Sequence, residues 1–230
     1  MCLASSCLHT RFHMERLHPT LSPELERDLD RAAAYPEMAQ HAALLRDHLR
    51  SYAALLSSWA TRVNLVSRAD CTRLGTHHFL PSLSACSIIN ALPHRTVVDL
   101  GSGAGLPGIP LSLALQDSEF FLVESRRRRA TFLRHAIRSL GLKNACTVER
   151  RFEDWLPPVP IDCIVVRGVS LTVQLLESAA KVLSPHGCLI SYHAGVGPTG
   201  AGRCRLVWAF STTSRLRLAV LRPQLWLPCC

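Results

Sequence analysis

Residues 97–110 read "VVDLGSGAGLPGIP". The short apolar run "TVVDL" (96–100) ends at Leu100, and a glycine-rich turn follows at once. That turn can be counted in two registers. From Gly103, "GAGLPG" is a literal G-x-G-x-x-G, the fingerprint of a dinucleotide-binding loop. From Gly101, "DLGSGAG" is D-x-G-x-G-x-G, the pattern of a loop that wraps S-adenosylmethionine (AdoMet). The first glycine of a dinucleotide loop makes the tight turn directly off its strand, and counting from Gly103 leaves Gly101 and Ser102 without a role. A pyrophosphate also needs free amides at a helix N-terminus, whereas Pro107 and Pro110 each remove a donor. AdoMet carries no phosphate. It needs close backbone approach, here offered by Gly101, Gly103 and Gly105, and acids for its ammonium and ribose hydroxyls. Asp99 before the loop and Glu124 at the end of the next strand are such acids. The residues select the AdoMet register.

Outward from the loop, "EFFLVE" (119–124) predicts the second strand. "RRRRATFLRHAIRSLGL" (126–142) predicts a helix with Ala130, Leu133, Ile137 and Leu140 on one face and Gly141 as its stop. "ACTVERR" (145–151), "DCIVVRG" (162–168) and "CLISYHA" (188–194) are further strands, and "LTVQLLESAAKVL" (171–183) is a helix closed by the turn "SPHG". Strands alternating with helices imply a parallel, doubly wound sheet. "RLVWAF" (205–210) and "RLRLAVLR" (215–222) are joined by only "STTS", too short for a crossover, so they form an antiparallel hairpin. The expected fold class is α/β: a class I AdoMet-dependent methyltransferase, Rossmann-like, with a mostly parallel seven-stranded sheet ending in an antiparallel hairpin and an N-terminal helical extension.

Upstream, "SPELERDLDRAAAY" (22–35) starts as helices do, with Ser22 able to cap, Pro23 at the first position and acids following. Leu45, Leu49, Tyr52, Leu56, Trp59 and Val63 recur at intervals of four and three, one face of a helix over 41–63. A further helical stretch is expected over 72–92, broken near Pro81 and ended by Pro93. The division is 1–19 as a disordered extension with Met14 a candidate start, 20–93 as a helical region, 94–224 as the AdoMet-binding domain, and 225–230 as a tail. The first twenty residues hold no continuous apolar run of the kind a secretory signal needs. No run of eighteen apolar residues predicts a membrane span.

Ten cysteines without any C-x-x-C pair argue against a structural zinc site or a disulfide scaffold, so no metal is expected and the compartment is read as reducing and cytoplasmic. The net charge is +9, and of 26 lysines and arginines all but Lys143 and Lys181 are arginine. A GC-rich genome would produce that skew. So would a polyanionic partner such as nucleic acid.

The chain resembles the RsmG (GidB-type) family of bacterial methyltransferases that modify guanine N7 in 16S ribosomal RNA. The likeness rests on "VNLVSR" (63–68), "HHFLPSL" (77–83), "VVDLGSGAGLPGIPLSLAL" (97–115), "RRRRATFLRHAIRSLGL" (126–142), "RRFED" (150–154) and "VVRGVS" (165–170). The "GLPGIPL" segment is specific, because most AdoMet enzymes lack its prolines. The resemblance implies that Gly101 and Leu106 contact AdoMet, that Phe152 and Glu153 bracket the adenine, and that Arg167 lies beside cofactor and target base as the catalytic arginine. His78 and Asn64 match motif positions in the helical part. Three features depart from the family: Pro81 stands where an acid is usual, His193 where a lysine is usual, and 195–204 is a short, glycine-rich connection.

Guanine N7 holds an in-plane lone pair and no proton, so its methylation needs orientation and no general base. Arg167 suits a base edge or a phosphate through its planar fork. Arg126, Arg127, Arg128 and Arg129, with Arg151, are read as an RNA-binding rim beside the cleft; a solvated helix face is the competing reading of the run. The implied partner is 16S rRNA or the small ribosomal subunit, met by a monomer without a membrane. Two alternatives stay open: an AdoMet methyltransferase acting on a small molecule or protein, and a non-catalytic RNA-binding relative.

Overall fold

The computed structural model describes residues 23–33, 41–60, 62–67, 69–93, 95–194, 204–211 and 216–223. Expectations for 1–19, for the connection 195–203 and for the tail from 225 lie outside the described residues, as does the side chain of His193.

β1 (Thr96–Leu100) is an interior strand of a seven-stranded sheet, and every one of its residues is buried. It pairs in parallel with β2 (Glu119–Val123) and with β4 (Ile161–Arg167). β3 (Ala145–Val148) continues beyond β2, and β5 (Leu183–Ala194) lies beside β4. The last two strands, β6 (Cys204–Ser211) and β7 (Leu216–Pro223), form the expected hairpin, with β7 antiparallel to β5. The order is β3-β2-β1-β4-β5-β7-β6.

Apolar runs without polar alternation fit a sheet covered on both faces. Successive residues point to opposite faces. Val97, Phe120, Leu122, Cys163 and Val165 join one core, whereas Val98, Phe121, Val123, Ile164 and Val166 join the other. The first core packs under α1 (Pro23–Ala33), α2 (Ala42–Trp59), α3 (Leu80–Leu83), α4 (Cys86–Asn90), α5 (Gly108–Ala114) and α6 (Arg127–Ser139). The second lies under α7 (Val173–Val182) and the 3-10 turn Phe152–Asp154. The helical region thus shares the larger core with the sheet.

Two expectations are corrected. The stretch 72–92 is not one helix interrupted at Pro81. It is a 3-10 turn Asp70–Thr72, a π turn Gly75–Phe79, then α3 and α4. Pro81 sits in the first turn of α3, where a missing amide is tolerated. The "SPHG" segment is not a free turn between helix and strand. Ile161 pairs with Leu183 and Cys163 with Cys188, so residues 184–187 bulge out of β5 opposite Asp162. Asp162 pins this bulge by accepting from the Ser184 hydroxyl at 2.8 Å and from the Thr96 amide at 3.0 Å.

Candidate cofactor cleft and its arginine rim

The chain turns off β1 at Gly101, whose amide and that of Ser102 both donate to the Val123 carbonyl, at 2.9 and 3.0 Å. Gly101, Gly103 and Gly105 take φ values of 70°, 57° and 85°, conformations open to glycine at little steric cost. A Cβ on Gly101 would come within 2.6 Å of Val169 Cγ2. Asp99 lies beneath this turn, fully buried, where Oδ2 accepts from the Ser102 hydroxyl and from the Gly108 amide. Burial pushes Asp99 up to about 6, against the pull of those two hydrogen bonds. From α2, the buried Tyr52 hydroxyl donates to the Ala104 carbonyl, so the helical layer braces the loop from outside the sheet.

Above the loop opens a cleft of about 570 Å³. The loop contributes Gly101, Gly103 and Leu106, and the ends of β2, β3 and β4 contribute Glu124, Phe152, Glu153 and Arg167. The segment between α2 and the π turn adds Leu65, Val66, Ser67 and Asp70, with His78 from the turn itself. Arg126, Arg150 and Arg151 line the cleft and are exposed. Most of the sequence-selected residues therefore converge on one space. Asp99 and Gly105 do not line it: the first sits under the loop, and a Cβ on the second would press on the Tyr52 hydroxyl at 2.9 Å. Arg127 and Arg128 are exposed outside the lining. Arg129 is half-buried and turned across the cleft, its Nη2 donating to the Asn64 carbonyl at 3.1 Å.

Glu124 lines the cleft with acceptor capacity that two backbone amides only partly use. Its Oε2 accepts from the Gly103 amide at 3.0 Å and its Oε1 from the Arg126 amide at 2.8 Å. A carboxylate offers about four acceptor sites, so about half remain for hydroxyl donors. Beside it, the glycine turn presents bare backbone. Those two features match AdoMet's ribose and methionine parts.

Arg167 leaves the end of β4 and meets the π turn. Its Nη2 donates to the His77 carbonyl at 3.0 Å and to His78 Nδ1 at 2.8 Å. Pro81, having no amide, cannot donate to the carbonyl four residues back, which is that of His77. The proline thus leaves that carbonyl open to the guanidinium. An arginine only donates, so His78 Nδ1 is the lone-pair nitrogen and its proton sits on Nε2. Burial, and then the Arg167 charge, hold His78 down to about 4. The ring is neutral and its lone pair is engaged, which removes it as a general base.

That ring also sets a pH dependence. A histidine whose folded pKa is depressed contributes stability that is complete above 6.5 and is lost as pH falls toward 4. The full shift corresponds to about 3 kcal/mol. Asp99 acts in the opposite sense, since its raised pKa favours the folded state as pH falls toward 3.8. Comparing wild-type with His78→Gln cancels Asp99, because Gln can still accept from Arg167. Between pH 6.5 and 4 the stability difference is expected to move by about 3 kcal/mol in favour of the variant. A constant difference in urea titrations across that range would show that His78 does not titrate as described.

Sequence reasoning missed the Ser67–Asp70 pair, whose hydroxyl and carboxylate lie 2.6 Å apart, and the contact from Asp70 Oδ1 to His77 Nδ1 at 3.1 Å. The signal was present in "VNLVSR" (63–68), which contains Ser67 and ends two residues before Asp70. Tyr52 carried no signal beyond its place on an apolar helix face.

A family model described as GidB, rRNA small subunit methyltransferase G, matches residues 45–201. A ribosomal RNA small subunit methyltransferase G of Chlorobium phaeobacteroides is 36% identical over 149 residues, 65% of this chain and 67% of that one. A protein of the same description from Xanthomonas euvesicatoria is 35% identical over 175 residues, covering 76% of this chain and 78% of its own length. Among solved structures, the mitomycin 7-O-methyltransferase MmcR superposes with a TM-score of 0.53 at 16% identity, over 89% of this chain and 74% of that one. That likeness supports the Rossmann-like methyltransferase fold. With the family model matched over residues 45–201, from α2 through β5, the chain belongs to the GidB family of AdoMet-dependent rRNA small subunit methyltransferases.

Proposed function

We propose that this chain transfers the methyl group of AdoMet to N7 of a guanine in 16S rRNA, guanine 527 in the usual ribosomal numbering. The observation that carries this reading is the shared lining: exposed Arg126, Arg150 and Arg151 border the same cleft as the glycine turn and Glu124. A polyanion seated on that rim brings its bases to the cofactor. AdoMet supplies an electrophilic methyl group on a sulfonium sulfur. Gly101, Gly103 and Leu106 receive its methionine part through bare backbone and an apolar side chain, Glu124 accepts from the ribose hydroxyls, and Phe152 with Glu153 holds the adenine. Arg167, fixed by the π turn, orients the acceptor base. No proton has to leave guanine N7, and His78, the imidazole beside Arg167, has its lone pair already committed. The site thus favours a proton-free nucleophile.

In this reading residues 20–93 form the helical wall and 94–224 the methyltransferase domain, working as a monomer on the small subunit in the cytoplasm. Among the described residues no helix is long and apolar enough to cross a membrane. Phosphate contacts release counterions, so RNA affinity falls with salt by about 0.7 logarithmic units per contact for single strands. Arg126→Ala and Arg151→Ala are each expected to lower the salt slope by roughly that amount and to weaken binding across sequences alike. Slopes identical to wild-type in both variants would move the RNA away from this rim. Transfer to a small molecule or a protein, insensitive to salt, would favour the runner-up substrate class.

A further inference from the structure

Four arginines stand in a row at the start of α6, and one of them is placed unlike the rest. Arg126, Arg127 and Arg128 are exposed. The Arg129 side chain keeps 29% of its exposure. Its Nη2 donates to the Asn64 carbonyl in the 62–67 segment. Its Nη1 stands 4.0 Å from Glu124 Oε2 and 3.6 Å from the point where a Cβ on Gly103 would lie. One guanidinium therefore touches three parts of the cleft: the helical wall, the glycine turn and the acid at the end of β2.

We propose that Arg129 is a cofactor-positioning strap, not part of the RNA rim; this rests on the AdoMet reading of the cleft given above. Two physical effects combine. The planar fork donates in fixed directions, so the bond to Asn64 ties the irregular 62–67 segment, with the cleft-lining Leu65 and Val66, to the helix that follows β2. The same bond holds Nη1 too far from Glu124 for a hydrogen bond. The charge still neutralises the buried carboxylate while the acceptor sites of Glu124 stay available to hydroxyl groups. Removing the side chain loosens a wall and strips the acid of its counter-charge, and both raise the dissociation constant for AdoMet.

The test uses the full chain and two variants, Arg129→Ala and Arg129→Lys, with Arg128→Ala for comparison. AdoMet binding is measured by calorimetry, and binding of an unmodified 16S rRNA fragment is measured across a salt series. Arg129→Ala is expected to weaken AdoMet binding about five- to tenfold and leave the RNA salt slope at the wild-type value. The rise should appear in the KM for AdoMet with kcat at saturation retained, and Arg129→Lys should recover part of it. Arg128→Ala should leave the AdoMet affinity unchanged. An AdoMet affinity within twofold of wild-type in Arg129→Ala, or a salt slope reduced as in Arg151→Ala, overturns the strap while leaving the cleft assignment standing. A wild-type chain that binds no AdoMet overturns both.

Discussion

Replacing Arg167 with alanine is expected to slow methyl transfer by about a hundredfold or more, the scale of loss that follows misplacement of a reacting group. The guanidinium is largely buried at the end of β4 and lines the cleft, so few other groups can take over its place. Both partners of its Nη2, the His77 carbonyl and His78 Nδ1, lose their donor. A second readout separates this from simple unfolding. Because the Arg167 charge is one of the influences holding His78 down, the imidazole in the variant should titrate above its wild-type value of about 4. Arg167→Lys keeps the charge and loses the fork, and should fall between the two. A folded Arg167→Ala protein with an unchanged rate would remove this residue from the site.

Gly103→Asp should abolish measurable AdoMet binding, a loss of about a hundredfold or more in affinity if two or more contacts worth 1.5–3 kcal/mol each are removed. Three effects coincide. The residue holds φ at 57°, a region that disfavours side chains. Its Cβ would lie 4.0 Å from Glu124 Oε2, which brings two carboxylates together in a buried corner. The new carboxylate would also compete for Arg129 Nη1 and fill the space left by the bare backbone. Gly103→Ala isolates the first effect and should retain partial binding. Normal affinity in Gly103→Asp would reject the register counted from Gly101.

The Gly103 prediction rests on features of the sequence that were legible for a clear reason. Strand ends, glycines and prolines act locally, so "TVVDL" and the turn after it could be placed before any long-range contact was known. The hairpin followed from a four-residue link, which admits only an antiparallel pair. Burial direction was less accessible. Asp99 looked like a ligand because it precedes the loop, but β1 is covered on both faces, and the side chain turns under the loop to accept from Ser102 and Gly108. Arg129 looked like its three neighbours. The helical period does distinguish it, since Phe132, Leu133 and Ala136 follow at three, four and seven residues and are all buried. The Arg167–His77 contact depends on residues 90 apart in the chain, and no local pattern announces it.

The central claim, methyl transfer from AdoMet to a single guanine N7, is open to one direct measurement. Labelled AdoMet is incubated with the protein and with unmodified 16S rRNA or small-subunit particles, and 7-methylguanosine is mapped by chemical strand cleavage. The account predicts label at one guanine, position 527 of the decoding region, lost in Arg167→Ala and in Gly103→Asp. Absence of label on either RNA substrate by a protein that binds AdoMet, or label at another atom or another base, would contradict it.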